Sequence, residues 1–109
     1  MKLLTSDIIK NLEKHPIGSQ EEAGANAEIL VKFFGGGAAT WLVTEAEKQE
    51  NGDWLFFGCV TLFGDGEWEW GYFALSELKE LRFPPFGLPI ERDMYLAKHT
   101  KVGEIVGDP

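Results

Sequence analysis

The chain has little of what marks most specialised functions. It carries one cysteine, Cys59, in 109 residues, which excludes an intrachain disulfide framework and a multi-cysteine zinc site. A reducing, cytoplasmic compartment is the expectation. It has two histidines, His15 and His99, far apart in the chain; a metal or proton-relay pair would need both ends of the fold to meet, and solvated rings are the plainer expectation. Long apolar runs are missing. The richest stretch, Trp54 to Phe63, falls well short of the ~20 residues needed to span a bilayer. The opening Met1-Lys2-Leu3-Leu4 is broken by Thr5, Ser6 and Asp7 before it reaches the length of a signal-peptide core, so no secretion signal is expected.

Basic residues are also scarce. Ten Lys and Arg face 18 Asp and Glu, for a formal net charge of −8. That balance argues against direct nucleic-acid binding, which rests on Lys and Arg contacts to phosphate, and against an anionic membrane surface. There is no Gly-x-Ser-x-Gly nucleophile elbow. Gly35-Gly36-Gly37 is not followed by Gly-Lys-Ser/Thr, so the triplet reads as a hairpin turn in which glycine supplies positive φ, not as a phosphate cradle.

What remains is 44% apolar and 13% aromatic, enough for one domain over residues 1–109 with a stable core and no staples. Leu4, Ile8 and Leu12 repeat at helical spacing, with Thr5 or Ser6 as cap and Leu4 and Ile9 as a hydrophobic staple; Pro16 ends that helix. From Ala27 the period becomes two. Strands are expected over Glu28 to Phe34, Thr40 to Ala46, Trp54 to Phe63 and Glu67 to Phe73, with turns at Gly35-Gly36-Gly37, Asn51-Gly52 and Gly64-Asp65-Gly66. The third is apolar on both sides and reads as central. Ser76 can cap a short helix to Arg82, Ile90 to Leu96 can form a last strand, and Thr100 to Val106 a frayed turn. The fold class is α+β: an antiparallel meander of four to five strands, flanked by an N-terminal helix and a short helix after the fourth strand. Trp41, Phe57, Trp68, Trp70 and Leu12 are expected in or lining the core of a monomer.

Cys59 falls in the apolar third strand, where a thiol stays protonated and inert. The acids are unevenly spread. Glu45, Glu47, Glu50, Asp53, Asp65, Glu67 and Glu69 are accompanied only by Lys48, and they are the candidate partner-binding residues: an acidic surface complementary to a basic groove on another protein. The enzymatic alternative is a metal-dependent hydrolase using Asp65, Glu67 and Glu69, although an EF-hand would need more oxygens and a distant bidentate Glu. No catalytic residue, metal ligand or cofactor is assigned, and Glu91-Arg92-Asp93 reads as an ion-paired turn.

Four segments carry a resemblance. Met1 to Thr5, Ala39 to Glu45, Gly71 to Leu78 and Gly87 to Asp93 are similar, in order and spacing, to a family of small bacterial proteins catalogued as a domain of unknown function and common on plasmids, phages and integrative elements. Trp68-Glu69-Trp70 departs from the simpler pattern before Gly71-Tyr72. The resemblance offers no catalytic residues to carry across. It implies a mobile-element context in which some similar proteins act as anti-CRISPR inhibitors, so the expected function is non-enzymatic inhibition of a guide-loaded type II CRISPR nuclease. The alternative is an accessory subunit of plasmid transfer or replication.

Overall fold

Thr5 starts the first helix: its hydroxyl accepts the Ile8 N–H at 3.2 Å. Helix α1 then runs Ser6–Glu13 in the computed structural model, which describes residues 1–107. Leu12 is fully buried, with Ile8 and Ile9 packed beside the same core, as an apolar stripe at this spacing requires. The chain then builds β1 (Val31–Gly35), β2 (Ala39–Lys48), β3 (Trp54–Thr61) and β4 (Glu69–Ala74). After β4 comes α2 (Leu75–Glu80), then a two-residue β5 (Glu91–Arg92) and finally α3 (Val102–Val106).

The five strands form one open antiparallel sheet in the order β4-β3-β2-β1-β5. The fold is therefore α+β, with the helices at the expected places. The meander covers β1 to β4, and β5 crosses back to the opposite edge beside β1. β2 is the middle strand; β3 is interior, with neighbours on both sides, which is why both of its faces are rich in apolar residues.

Alternation along the strands divides the core in two. One face carries Phe33, Trp41, Phe56 and Phe73 beneath Leu12, Leu75 and Leu78. The rings of Phe33, Phe56 and Phe73 form a row with centroids 6.1 and 5.7 Å apart. The other face carries Leu42 and Cys59 beneath Ala27, Ile29 and Val102, with Trp68 and Val106 at its margin. This smaller core is closed by α3 and the 3₁₀ turn Gly24–Asn26. A Cβ at Gly103 would lie 3.0 Å from Ala25 Cβ and carbonyl oxygen, so the missing side chain lets α3 sit this close.

Several boundaries differ from the sequence reading, each for a local reason. Glu28 and Ile29 lie outside β1 because they pair instead with the chain's last segment: Ile29 N–H donates to Thr100 O (2.8 Å) and Val102 N–H to Ala27 O (2.9 Å). The same pairing turns the expected frayed tail into a helix whose Val102 is fully buried. The strand expected over Ile90 to Leu96 stops at Arg92, since Asp93 turns the chain by accepting the Tyr95 N–H at 2.8 Å. Ser76 lies inside α2, not at its cap, and its N–H and hydroxyl both donate to Asp53. Trp41 and Leu12 are core residues and half-buried Trp68 lines the smaller core, but Phe57 is only half-buried and Trp70 is 37% exposed: Trp70 stands on the edge strand, where that face is only partly covered.

β2 contains a bulge between Val43 and Glu45. There, a Cβ on Gly58 would collide with the Leu42 carbonyl oxygen and lie 2.8 Å from its carbon. Gly71, paired with Gly58 on β4, has nothing within 4 Å of the corresponding position. Gly58→Ala is expected to cost about 1–3 kcal/mol, the usual range for a side chain forced into a filled site, whereas Gly71→Ala stays within about 0.5 kcal/mol. Urea midpoints of the two variants check this; equal midpoints would refute the assigned bulge geometry.

Candidate protein-binding face

The bulge sends Glu45 where simple alternation does not. It is 3% exposed, and its carboxylate accepts the Gly18 N–H at 2.7 Å and the Gln20 N–H at 2.9 Å. The neighbouring Gln20 side chain continues the job. Its Nε2 donates to Thr44 O (2.7 Å) and Glu28 O (2.9 Å), and its Oε1 accepts Glu28 N–H (2.7 Å). Beyond Leu30, where β1 is no longer alongside β2, one side-chain amide thus fills the gap in the ladder by pairing with main-chain groups of Glu28 and Thr44. Glu45, assigned from sequence to the partner-binding surface, is a structural anchor instead.

The other six acids separate. Asp53 is also engaged internally: its carboxylate accepts Trp54 N–H (2.8 Å), Ser76 N–H (3.0 Å) and Ser76 Oγ–H (2.6 Å), tying the β2–β3 turn to the start of α2. Glu50 is exposed in that turn. Asp65 and Glu67 are exposed in the β3–β4 loop, at the far end of β3 and so about 24 Å away by strand rise. Asp65 folds back to accept the Glu67 N–H at 3.1 Å. Glu69 pairs with Val60 on the helix-covered face, and Glu47 pairs with Leu55 on the opposite one. A run of acids in a meander alternates between ends and faces of the sheet, so sequence proximity did not make one patch.

The face that is left open is aromatic. Phe57 stacks on Trp70 with centroids 5.8 Å apart at 16°, and meets Tyr72 edge-on at 4.9 Å and 61°. Trp70 is 37% and Tyr72 62% exposed. Each such contact contributes about 0.5–1.5 kcal/mol, which holds the three rings as a rigid platform. Period-two alternation along β4 puts Trp70 and Tyr72 on one side; Phe57 as their support is a contact only cross-strand register reveals. On the β2 side the platform is bounded by acids. Glu45 is register partner to Phe57 and holds the segment bearing exposed Glu21 and Glu22, while Glu47 lies two pairs further along, on the same face. No Lys or Arg occurs between Lys48 and Lys79 or between Lys14 and Lys32, and Lys48 is paired with Trp54 on the other face. On its β2 side the platform is therefore flanked by acids that no Lys or Arg of the same segments accompanies.

Elsewhere the chemistry is sparse. Cys59 is fully buried and its thiol is pushed up by desolvation, so it stays protonated. The fold does bring both histidines to one residue: Glu28 lies 3.9 Å from His15 Nε2 and 3.0 Å from His99 Nδ1. His99 is exposed, as expected, but His15 is half-buried and also 2.8 Å from Asn11 O through Nδ1. Among the described residues no group of three or more His, Cys, Asp or Glu is placed to hold a metal ion. A cleft of about 810 Å³ opens beside Leu3, Trp54, Leu75 and Ile90, and another of about 630 Å³ beside Asp7, Glu28, Arg92 and Lys98. No helix among the described residues is long and apolar enough to cross a membrane.

An open antiparallel sheet with α1 and α2 on one face, and α3 beside an acid-flanked aromatic platform on the other, defines a small α+β domain whose second face is only partly covered. The chain belongs to the family described as "Protein of unknown function (DUF2958)", whose model matches residues 3–106. No curated protein and no solved structure matches it.

Two variants test the engaged carboxylates. Glu45→Ala strands two main-chain donors and is expected to cost about 3 kcal/mol, given about 1.5–3 kcal/mol for each hydrogen bond to a charged group; Glu47→Ala on the exposed side stays within about 0.5 kcal/mol. The Ser76 hydroxyl, ahead of the Trp54 and Ser76 amides and Lys79, holds the Asp53 carboxyl below its ordinary value of 3.8, against a smaller opposing effect of burial. A lowered folded-state value means that this contribution is complete above the ordinary value and is lost as pH falls through the lowered one. Denaturation between neutral and strongly acid pH should show wild type losing its advantage over Asp53→Asn only at the acid end; a constant difference would refute the assignment.

Proposed function

We propose that this protein acts by binding another protein through the Phe57, Trp70 and Tyr72 platform and its acidic flank. The observation that carries this reading is the platform itself: Trp70 and Tyr72, both exposed and both held against half-buried Phe57, in a chain with a net charge of −8. Exposed aromatic clusters anchor interfaces because they bury large area with little loss of side-chain freedom. Surrounding acids steer a basic partner into contact and reject acidic ones. Binding, not catalysis, is the proposed activity.

In its most specific form the partner is a guide-loaded type II CRISPR nuclease, and the protein an inhibitor occupying the basic channel that holds the guide heteroduplex by its backbone. The family resemblance in sequence motivates that target, and the acid-flanked face is its physical support. Glu47, Glu50, Asp65, Glu67 and Glu69 add long-range attraction, while Glu45 and Asp53 keep the fold. A pull-down and cleavage assay against a panel of guide-loaded nucleases tests it. Wild type should be captured and slow cleavage, with affinity falling as salt screens the exposed charges. Removing both exposed rings, Trp70→Ala with Tyr72→Ala, should weaken binding roughly thirtyfold or more, the effect of a hot spot near 2 kcal/mol. No binding to any nuclease rejects this target; capture that survives loss of both rings rejects the platform.

A further inference from the structure

Resting on that binding-face reading, we infer how the partner is held: β4 accepts an extended basic segment as a sixth strand, its Arg or Lys side chains lying over Trp70 and Tyr72. The two edges of the sheet differ. β5 is two residues long, too short to pair further. β4 has six residues, Glu69–Ala74, with no Lys, no Pro and no bulge; its one charge, Glu69, sits at its first residue, so the rest of the strand, from Trp70 to Ala74, lacks the features with which exposed edges ordinarily discourage pairing.

The direction of the β4 main-chain groups follows from the ladder. Gln49 N–H donates to Asp53 O at 2.8 Å, Ala46 N–H to His15 O at 3.0 Å, and Leu30 N–H to Val43 O at 2.8 Å. Antiparallel pairs alternate between bonded and non-bonded. Counting from the Gln49 and Asp53 pair, Glu47 with Leu55 and Glu45 with Phe57 are bonded, and beyond the bulge Leu42 with Cys59 is bonded. Phe56 and Gly58 then turn their groups to Phe73 and Gly71 on β4. Trp70 and Tyr72, opposite Cys59 and Phe57, are left pointing N–H and C=O away from the sheet. Consistently, Ala74 N–H, next in that alternation, is taken by the Glu77 side chain at 2.9 Å. The same two residues therefore present both the free main-chain groups and the exposed rings.

Charge chooses the occupant. A strand added here lies about 4.8 Å from β4, which sets its alternate side chains beside Trp70 and Tyr72 at cross-strand distance. That is within the ~6 Å reach of cation–π attraction. Glu47 lies on the same side of the sheet, and exposed Glu21 and Glu22 directly follow the stretch that the Glu45 carboxylate holds there, with no Lys or Arg between Lys14 and Lys32. A second copy of this chain would pair β4 with β4 and bring two net charges of −8 together, so a basic segment of a different protein fits the edge.

The test is fluorescence anisotropy of the full chain with a labelled peptide alternating threonine and arginine. It is repeated with two peptides N-methylated on opposite alternating sets of residues, and with a threonine–glutamate peptide. The arginine peptide should bind and the glutamate peptide should not. One methylated set should weaken binding roughly tenfold or more, a loss of about 1.4 kcal/mol, and the other should not, because only one set turns its N–H toward β4. Tyr72→Lys should weaken binding similarly, with a urea midpoint lowered no further than that of Tyr72→Phe combined with Phe57→Leu, which loses the same ring contact but keeps the edge uncharged and should still bind. Equal binding by both methylated peptides would overturn the edge pairing while leaving the face reading intact. Loss of all arginine-peptide binding, with intact capture of a basic protein partner, would overturn it as well. No binding of either kind would reject the face reading too. A dimer of the free chain that Tyr72→Lys dissolves would overturn the choice of occupant.

Discussion

The Glu45 carboxylate organises this domain. A carboxylate buried at a β-bulge is costly unless its oxygens are satisfied, and here the Gly18 and Gln20 amides satisfy both. That contact pulls residues 17–22 onto the sheet and delivers the Gln20 amide to Thr44 and Glu28. The bulge explains the rest. It shifts β2 against β3, requires a glycine at position 58 because the Leu42 carbonyl fills that space, and turns the Glu45 side chain onto the face shared with Phe57. One end of that face is closed by the Glu45-anchored segment and the other by α3, so the rings on β3 and β4 are what stays uncovered.

Rigidity is distributed to the same end. Asp53 fastens the β2–β3 turn to α2, and Glu77 closes the end of β4 through Ala74. The phenylalanine row beneath and the stacked Phe57 above clamp β3 and β4 from opposite sides. A surface so held loses little conformational entropy on binding, which is the general route by which a small interface gains affinity. The net charge of −8 contributes at longer range and is screened by salt. Rings hold the contact and acids guide the approach.

Local chemistry made most of the fold legible in the sequence. Thr5 as cap, Pro16 as stop, the glycine turns and the period-two strands all act through neighbours a few residues away, and each appears where its chemistry requires. What escaped was long-range. Glu45 looks like a surface residue until the bulge breaks alternation, and nothing in Thr44-Glu45-Ala46 announces a bulge. Trp70 looks like core because aromatic alternation cannot say whether a face is covered. The seven acids look like one patch because a meander hides, in one dimension, that successive turns sit at opposite ends of the sheet. The pairing of Glu28 with Lys101 and the approach of both histidines to Glu28 join segments that no local pattern connects.

Residue-resolved amide hydrogen exchange on the free protein tests this account most directly, because it reads the anchored loop and the open edge together. The Gly18 and Gln20 amides should exchange as slowly as interior strands, since a buried carboxylate holds both. Along β4, Gly71 and Phe73 should be protected and Trp70 and Tyr72 should exchange fast, alternating residue by residue. Fast exchange at Gly18 and Gln20, or equal protection of all four β4 amides in the monomer, would contradict it.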